Sequence, residues 1–140
     1  MKLFVGAKAV VEYGGKILLL RESAQYDEGT EAGKWDVPGG RIEPEESLAA
    51  GFKREVKEES GLDVVPGKLL GAFDNFPEIK GETCHIVRVY FACSTDTDQV
   101  TLSDDHDQYE WVNPTDLTDK ILVSDLYPVV EEFIRIRSMG

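Results

Sequence analysis

Between Gly40 and Leu62 the chain reads G-R-I-E-P-E-E-S-L-A-A-G-F-K-R-E-V-K-E-E-S-G-L, and this order of residue types leaves few conformations open. Ser47 is an N-cap by type and Gly61 a C′ glycine, which frames a helix of about 13 residues between them. At 3.6 residues per turn Ala49, Phe52 and Val56 fall on one side and Lys53 and Lys57 on the far side, with Gly51, Glu55, Glu58 and Glu59 on a third. Like charges one turn apart weaken a helix by about 0.2–0.5 kcal/mol per pair unless a cation sits among them.

Two readings of the three glutamates are open. One is a solvated acidic face. The other is an oxygen-only site for a hard divalent cation such as Mg²⁺ or Mn²⁺, which keeps several waters and shares its coordination with substrate phosphates. Arg54, the two caps and the preceding glycines favour the cation. Gly51, on the carboxylate face, costs about 1 kcal/mol relative to alanine, so it is expected to admit a ligand or another backbone segment. Pro38-Gly39-Gly40 is expected to turn sharply out of the apolar Trp35-Asp36-Val37 run and to present carbonyls towards the helix.

The rest of the chain reads as strands around two helices, which predicts a mixed sheet packed between them. Phe4–Tyr13 and Lys16–Arg21 are β-rich runs joined by Gly14-Gly15, a hairpin signal. Ser23–Gly33 reads as a polar loop able to lie over a site. Trp35–Val37, Val64–Phe76, Glu82–Cys93 and Tyr109–Val112 read as strands. A loop is expected over Pro77–Gly81, and an acidic loop around a short strand over Ser94–Asp107. Leu126, Val129, Val130, Phe133, Ile134 and Arg137 keep helical spacing, which predicts a C-terminal amphipathic helix.

With 140 residues, 41 % of them apolar, one domain over 1–140 can bury its own core. A formal net charge of −12 argues against a nucleic-acid duplex or an anionic membrane as partner, since both would be repelled. A free nucleotide would be repelled too, unless a metal bridges it. Cys84 and Cys93 match no zinc spacing. Nine residues apart on one strand, they point to opposite faces and are expected to be reduced, cytoplasmic thiols. No apolar stretch approaches the ~20 residues of a membrane span, and no signal-peptide core follows Met1.

Gly40, Glu46, Arg54, Glu55, Glu58, Glu59 and Gly61, with aliphatic Val56 and Leu62, fill the pattern G-x5-E-x7-R-E-U-x-E-E-x-G-U, where U is aliphatic. In this the chain resembles the Nudix (MutT-like) hydrolases. Arg21 closing the second strand, Trp35–Gly40 before the helix and Tyr109-Glu110-Trp111-Val112 late in the chain extend the resemblance over nearly its whole length.

The resemblance implies an α+β fold, an α/β/α sandwich, and Mg²⁺- or Mn²⁺-dependent hydrolysis of a nucleoside diphosphate linked to another moiety, by water attack on phosphorus. It implies that Glu55 and Glu59 are the principal metal ligands, with Glu58 a further ligand or the base. The Gly39 carbonyl completes the shell, Glu46 supports it by hydrogen bonding, and Arg54 orients a glutamate through its fork of donors. Asp105 stands where relatives carry an acidic residue, either an added ligand or base or one more acid in an acidic loop. His106 beside it is read as a loop cap. Arg21 is read either as a phosphate contact or as a surface ion pair. Gly40 and Phe76 are assigned to the substrate, and Phe73, Tyr90 and Tyr26 are further aromatics able to stack on a base or to fill the core.

Pro77 lies where ADP-ribose pyrophosphatases of the family place a proline, whereas the compact length resembles the nucleotide-pool sanitisers. The resemblance thus implies a small nucleotide as substrate, either a nucleoside triphosphate or an ADP-ribose-like compound, and the protein is expected to be a monomer or homodimer. The alternative is a nucleotide-binding or sensor domain of the same fold without turnover. An isoprenoid diphosphate isomerase, a relative that works by protonation, needs a catalytic cysteine motif that neither Cys84 nor Cys93 provides.

Overall fold

The structure is a computed structural model that describes residues 1–25 and 31–139. Among the described residues ten elements follow in order: β1 (Lys2–Tyr13), β2 (Lys16–Glu22), β3 (Trp35–Asp36), β4 (Gly39–Arg41), α1 (Leu48–Ser60), β5 (Leu69–Asn75), β6 (Glu78–Ile79), β7 (Glu82–Ser94), β8 (His106–Val112) and α2 (Leu126–Ser138). The strands form one mixed sheet with the path β3-β2-β1-β7-β5, to which β4 adds on β1, β6 on β7 and β8 on β2.

β1 and β2 leave their turn as a hairpin, with Gly14 and Gly15 both at positive φ (57° and 83°), the backbone that a two-residue primed turn requires. They pair only at Glu12–Ile17 and Tyr13–Lys16 and then separate. β4 takes the vacated edge of β1 at Gly6–Lys8, and β3 takes that of β2 at Leu20 and Arg21. The opening between the two diverging strands is where the site lies. On its other edge β1 runs parallel to β7 from Lys2 to Glu12.

Alternation along the central strands assigns a helix to each face. Ala7, Ala9 and Val11 of β1 and Leu18 and Leu20 of β2 pack with Phe52 and Val56 of α1. Val10, Ile17 and Leu19 point the other way, onto Leu126, Val129, Val130 and Phe133 of α2. The result is the expected α/β/α sandwich, with both layers buried by a strand period of two against a helix period of 3.6.

Several boundaries differ from expectation. Strand β5 begins at Leu69 rather than Val64; Val64 is buried against α1 without joining the sheet. The expected loop at Pro77–Gly81 contains β6, which turns back onto β7 through Lys80 and Gly81, both at positive φ. The short strand expected within Ser94–Asp107 does not form before His106. Cys84 and Cys93 are both free. No helix among the described residues is long and apolar enough to cross a membrane.

Candidate active site

Helix α1 spans the 13 residues its flanks predict. The Ser47 side chain accepts the Ala50 N–H, and Gly61, at φ 79°, closes the helix by donating its N–H to the Lys57 carbonyl. Phe52 and Val56 are fully buried beneath it. That anchoring sets the rotation of the helix and therefore the level of each glutamate. Glu59 comes to lie in the interior, 8 % exposed, while the Glu55 side chain is 16 % exposed and that of Glu58 is 57 % exposed at the rim.

Gly39 and Gly40 fit against these carboxylates. The Gly39 N–H donates to Glu59 Oε1 at 3.0 Å. With φ at 132°, a Cβ on Gly39 would collide with the Ala7 carbonyl oxygen, so no other residue fits there. A Cβ on Gly40 would strike the Glu55 carboxylate, so Gly40 brings backbone against that glutamate. Gly51 proves to make room for side chains: Ile42 and Glu46 each lie 3.0 Å from where its Cβ would stand. The expected ligand or backbone neighbour at Gly51 is therefore replaced by the loop's own packing.

Arg54 binds the acidic side chains together. Its Nε and Nη2 donate to the two Glu46 oxygens at 3.0 and 2.5 Å, Nη1 donates to Glu55 at 2.9 Å and to Glu58 at 3.2 Å, and Nη2 also reaches the Arg41 carbonyl at 3.1 Å. Glu46 further accepts the Glu43 N–H at 2.7 Å. The Arg54 bonds, joined by that N–H, hold the Glu46 carboxyl down at about 2.

The cleft in front of these groups has a volume of about 380 Å³ and is lined by Gly39, Gly40, Glu55, Glu58, Glu59 and Asp105, together with Lys8, Glu22, Asp36, Arg88 and His106. The metal-ligand candidates thus meet around one cleft, whereas Arg54 and Glu46 stand behind it. Arg21 and Phe76 are not among the lining residues. Arg21 donates to Asp107 at 2.7 Å in an exposed pair, and Phe76 stacks on His85 at 4.2 Å with its other face exposed. Phe73 and Tyr90 are core residues in edge-to-face contact at 5.9 Å. Tyr26 lies outside the described residues. A larger, mainly apolar groove of about 580 Å³ between Pro114–Leu122 and α2 shares no residue with the cleft.

Lys8, Arg88 and Asp125 carry no motif, and the Trp35–Gly40 run gives Asp36 no role; only the alignment of the strands brings them together. Lys8 donates to Asp36 at 2.9 Å. Burial disfavours its charge, yet Asp36 and then Glu59 outweigh that cost and raise its pKa. On the neighbouring strand Arg88 donates to Asp125 at 2.6 Å and to Asn75 at 2.7 Å, and the Tyr90 hydroxyl donates to Asp125 at 2.9 Å. His106 is no simple loop cap: it opens β8, burial pushes its imidazole down to about 4, and its buried Nδ1 has no partner among the described residues.

Burial pushes the Glu59 carboxyl up to about 8, against the pull of Lys8 and the Gly39 N–H. Burial also raises Glu55, despite Arg54. Desolvated carboxylates form an oxygen-only donor set that suits a hard divalent cation, which restores the ionised form that burial disfavours. The three glutamates do not converge as they stand, for Arg54 holds Glu58 at the rim. Among the described residues no group of three or more His, Cys, Asp or Glu side chains is gathered closely enough to hold a metal ion.

Residues 3–133 match the family profile described as the NUDIX domain. The chain belongs to the Nudix family. This Nudix chain is 29 % identical over 138 residues to the CTP pyrophosphohydrolase of Escherichia coli (strain K12), which spans 99 % of this chain and 96 % of that protein. It is 27 % identical over 115 residues to the nucleoside triphosphatase NudI of Klebsiella pneumoniae (strain 342), covering 77 % of this chain and 80 % of the relative. The crystal structure of the MutT protein from Methanosarcina mazei Go1 superposes with a TM-score of 0.80 at 32 % identity, covering 97 % of this chain and 96 % of that one. The protein is accordingly a Nudix hydrolase, of the class that cleaves phosphoanhydride bonds.

Proposed function

We propose that this chain hydrolyses a nucleoside triphosphate to the monophosphate and diphosphate with the help of Mg²⁺ or Mn²⁺. The observation that carries the reading is the desolvated pair Glu55 and Glu59 set against the Gly39–Gly40 backbone in a cleft of nucleotide dimensions. The CTP pyrophosphohydrolase of Escherichia coli, matched over nearly its whole length, supports a triphosphate. An ADP-ribose-like substrate rests on Pro77 alone.

Glu55 and Glu59 would hold the metal with the Gly39 carbonyl, and Asp105 stands on the same cleft as a further oxygen donor. Bound there, the ion supplies countercharge and Lewis-acid polarisation for phosphoryl oxygens. Glu58, at the rim and within reach of solvent, is assigned the proton of the attacking water. Arg54 and Glu46 keep the carboxylates oriented from behind, so that little reorganisation accompanies the reaction.

A panel of nucleoside triphosphates and ADP-ribose, incubated with protein and Mg²⁺ and resolved into products, tests the reading. Monophosphate and diphosphate released from a triphosphate are expected. Binding without turnover across the whole panel would instead identify a sensor domain.

A further inference from the structure

We propose that Lys8 is a phosphate-holding residue of this cleft, exchanging its bond with Asp36 for an oxygen of the substrate's phosphate chain. The inference rests on the triphosphate reading above and goes further by naming the cation that receives the chain away from the carboxylates.

Lys8 lies in a strand whose neighbours Ala7, Ala9, Val10 and Val11 are all fully buried core residues. An ammonium at such a position is expensive to desolvate, and the position would otherwise suit an apolar side chain. The side chain is 12 % exposed, and it opens onto the cleft rather than into either apolar layer. The parallel register sets Lys8 beside Tyr90 and Gly6 beside Arg88, so the glycine leaves the floor low between the two basic side chains.

Among the described residues seven carboxylates line this cleft: Glu22, Asp36, Glu43, Glu55, Glu58, Glu59 and Asp105. A polyphosphate entering it meets repulsion except where a cation has donors to spare. Three cations among the described residues share the lining. Arg41 lies 3.5 Å over the Phe4 ring. Arg88 spends three of its five N–H donors on Asp125 and Asn75, which fix the direction of its guanidinium. A lysine has three N–H donors, and Lys8 forms one hydrogen bond among the described residues, to Asp36. Two donors of a desolvated ammonium are thus available where a phosphate oxygen would satisfy them, and charge-assisted bonds of this kind are the strong ones.

A structural lysine, present only to neutralise Asp36 and Glu59, would affect folding and, through Glu59, the metal, but not analogue affinity once Mg²⁺ is saturating. Lys8→Met and Asp36→Asn, singly and combined, separate the two roles, with steady-state kinetics and calorimetric binding of an α,β-methylene CTP analogue in Mg²⁺. Loss of the contact is expected to raise KM and analogue Kd in Lys8→Met about tenfold while kcat changes less than about threefold. Asp36→Asn, which loosens the competing partner, is expected to tighten analogue binding, and that gain should vanish in the Lys8→Met background.

Unchanged analogue affinity in a folded Lys8→Met protein overturns the proposal while leaving the triphosphate reading intact. So does a gain from Asp36→Asn that persists without Lys8, or no gain at all, and the Asp36→Asn variant keeps the question decidable if Lys8→Met does not fold. A wild-type protein that neither binds the analogue nor cleaves any triphosphate overturns both.

Discussion

Arg54 holds Glu46 by two parallel bonds, Nη2 to Oε1 at 2.5 Å and Nε to Oε2 at 3.0 Å, and this leaves Nη1 to reach Glu55 and Glu58. One planar guanidinium therefore sets the direction of two of the three helix carboxylates, with the loop residue Glu46 as its anchor. A lysine, with a single point of charge, cannot make the fork.

Arg54→Lys is accordingly expected to lower kcat/KM by about 10- to 100-fold with the fold retained. Steady-state kinetics beside a circular-dichroism melt checks this. Glu46, held at about 2 in the folded protein, adds stability that is complete above its unfolded pKa and is lost as pH falls from there towards 2. In Arg54→Lys that acid-limb loss should shrink, as read by denaturant titration between pH 5 and 2.

Glu59→Gln should reduce turnover by at least about a hundredfold with the fold intact. The same variant carries a stability signature without metal. The folded pKa of about 8 lies above the unfolded value, so this group's contribution is full below pH ~4.3 and is lost as pH rises through 8. Metal-free wild type should therefore lose on the order of 4 kcal/mol relative to Glu59→Gln between pH 5 and 9. Mn²⁺ should raise the wild-type melting temperature and do so less in the variant. Parallel pH slopes for the two proteins would show that Glu59 is not desolvated.

Gly39 and Gly40 are adjacent, yet alanine should act differently at each. At Gly39 the obstacle is the Ala7 backbone and φ is 132°, so Gly39→Ala should cost on the order of 3 kcal/mol in urea denaturation. At Gly40 the obstacle is the end of the Glu55 side chain, which can swing aside. Gly40→Ala should keep most of its stability and lose activity, because the displaced group is the carboxylate itself.

Asp125 accepts from Arg88 at 2.6 Å and from Tyr90 at 2.9 Å while 8 % exposed. Asp125→Asn leaves the partly buried Arg88 guanidinium without its counter-charge and should destabilise by about 2 kcal/mol. Tyr90→Phe, which removes one neutral donor, should cost about 1 kcal/mol. Equal midpoints for Asp125→Asn and wild type in denaturant titration would contradict this.

How much of the protein was legible in its sequence depended on whether the cause was local. Ser47 and Gly61 frame α1 because caps act on the backbone within one turn, and Gly14-Gly15 makes a hairpin because only positive φ closes it. The start of β5 at Leu69 was set by pairing with Phe91 of β7, a partner distant in sequence, so no signal at Val64 marks where pairing begins. Arg21 gave no local sign of its choice, because Asp107 is 86 residues away.

The residue order from Gly40 to Leu62 by itself determined a capped helix bearing three glutamates, and with it the family, because these depend on spacing along one helix. Only the folded chain decided that Glu59 is buried while Glu58 reaches solvent, and that Lys8 and Arg88 share the floor before them. Depth and cross-strand neighbourhood arise from the divergence of β1 and β2 and from the parallel register of β1 with β7. They are long-range consequences of how two apolar layers close over one sheet, and no short window of sequence contains them.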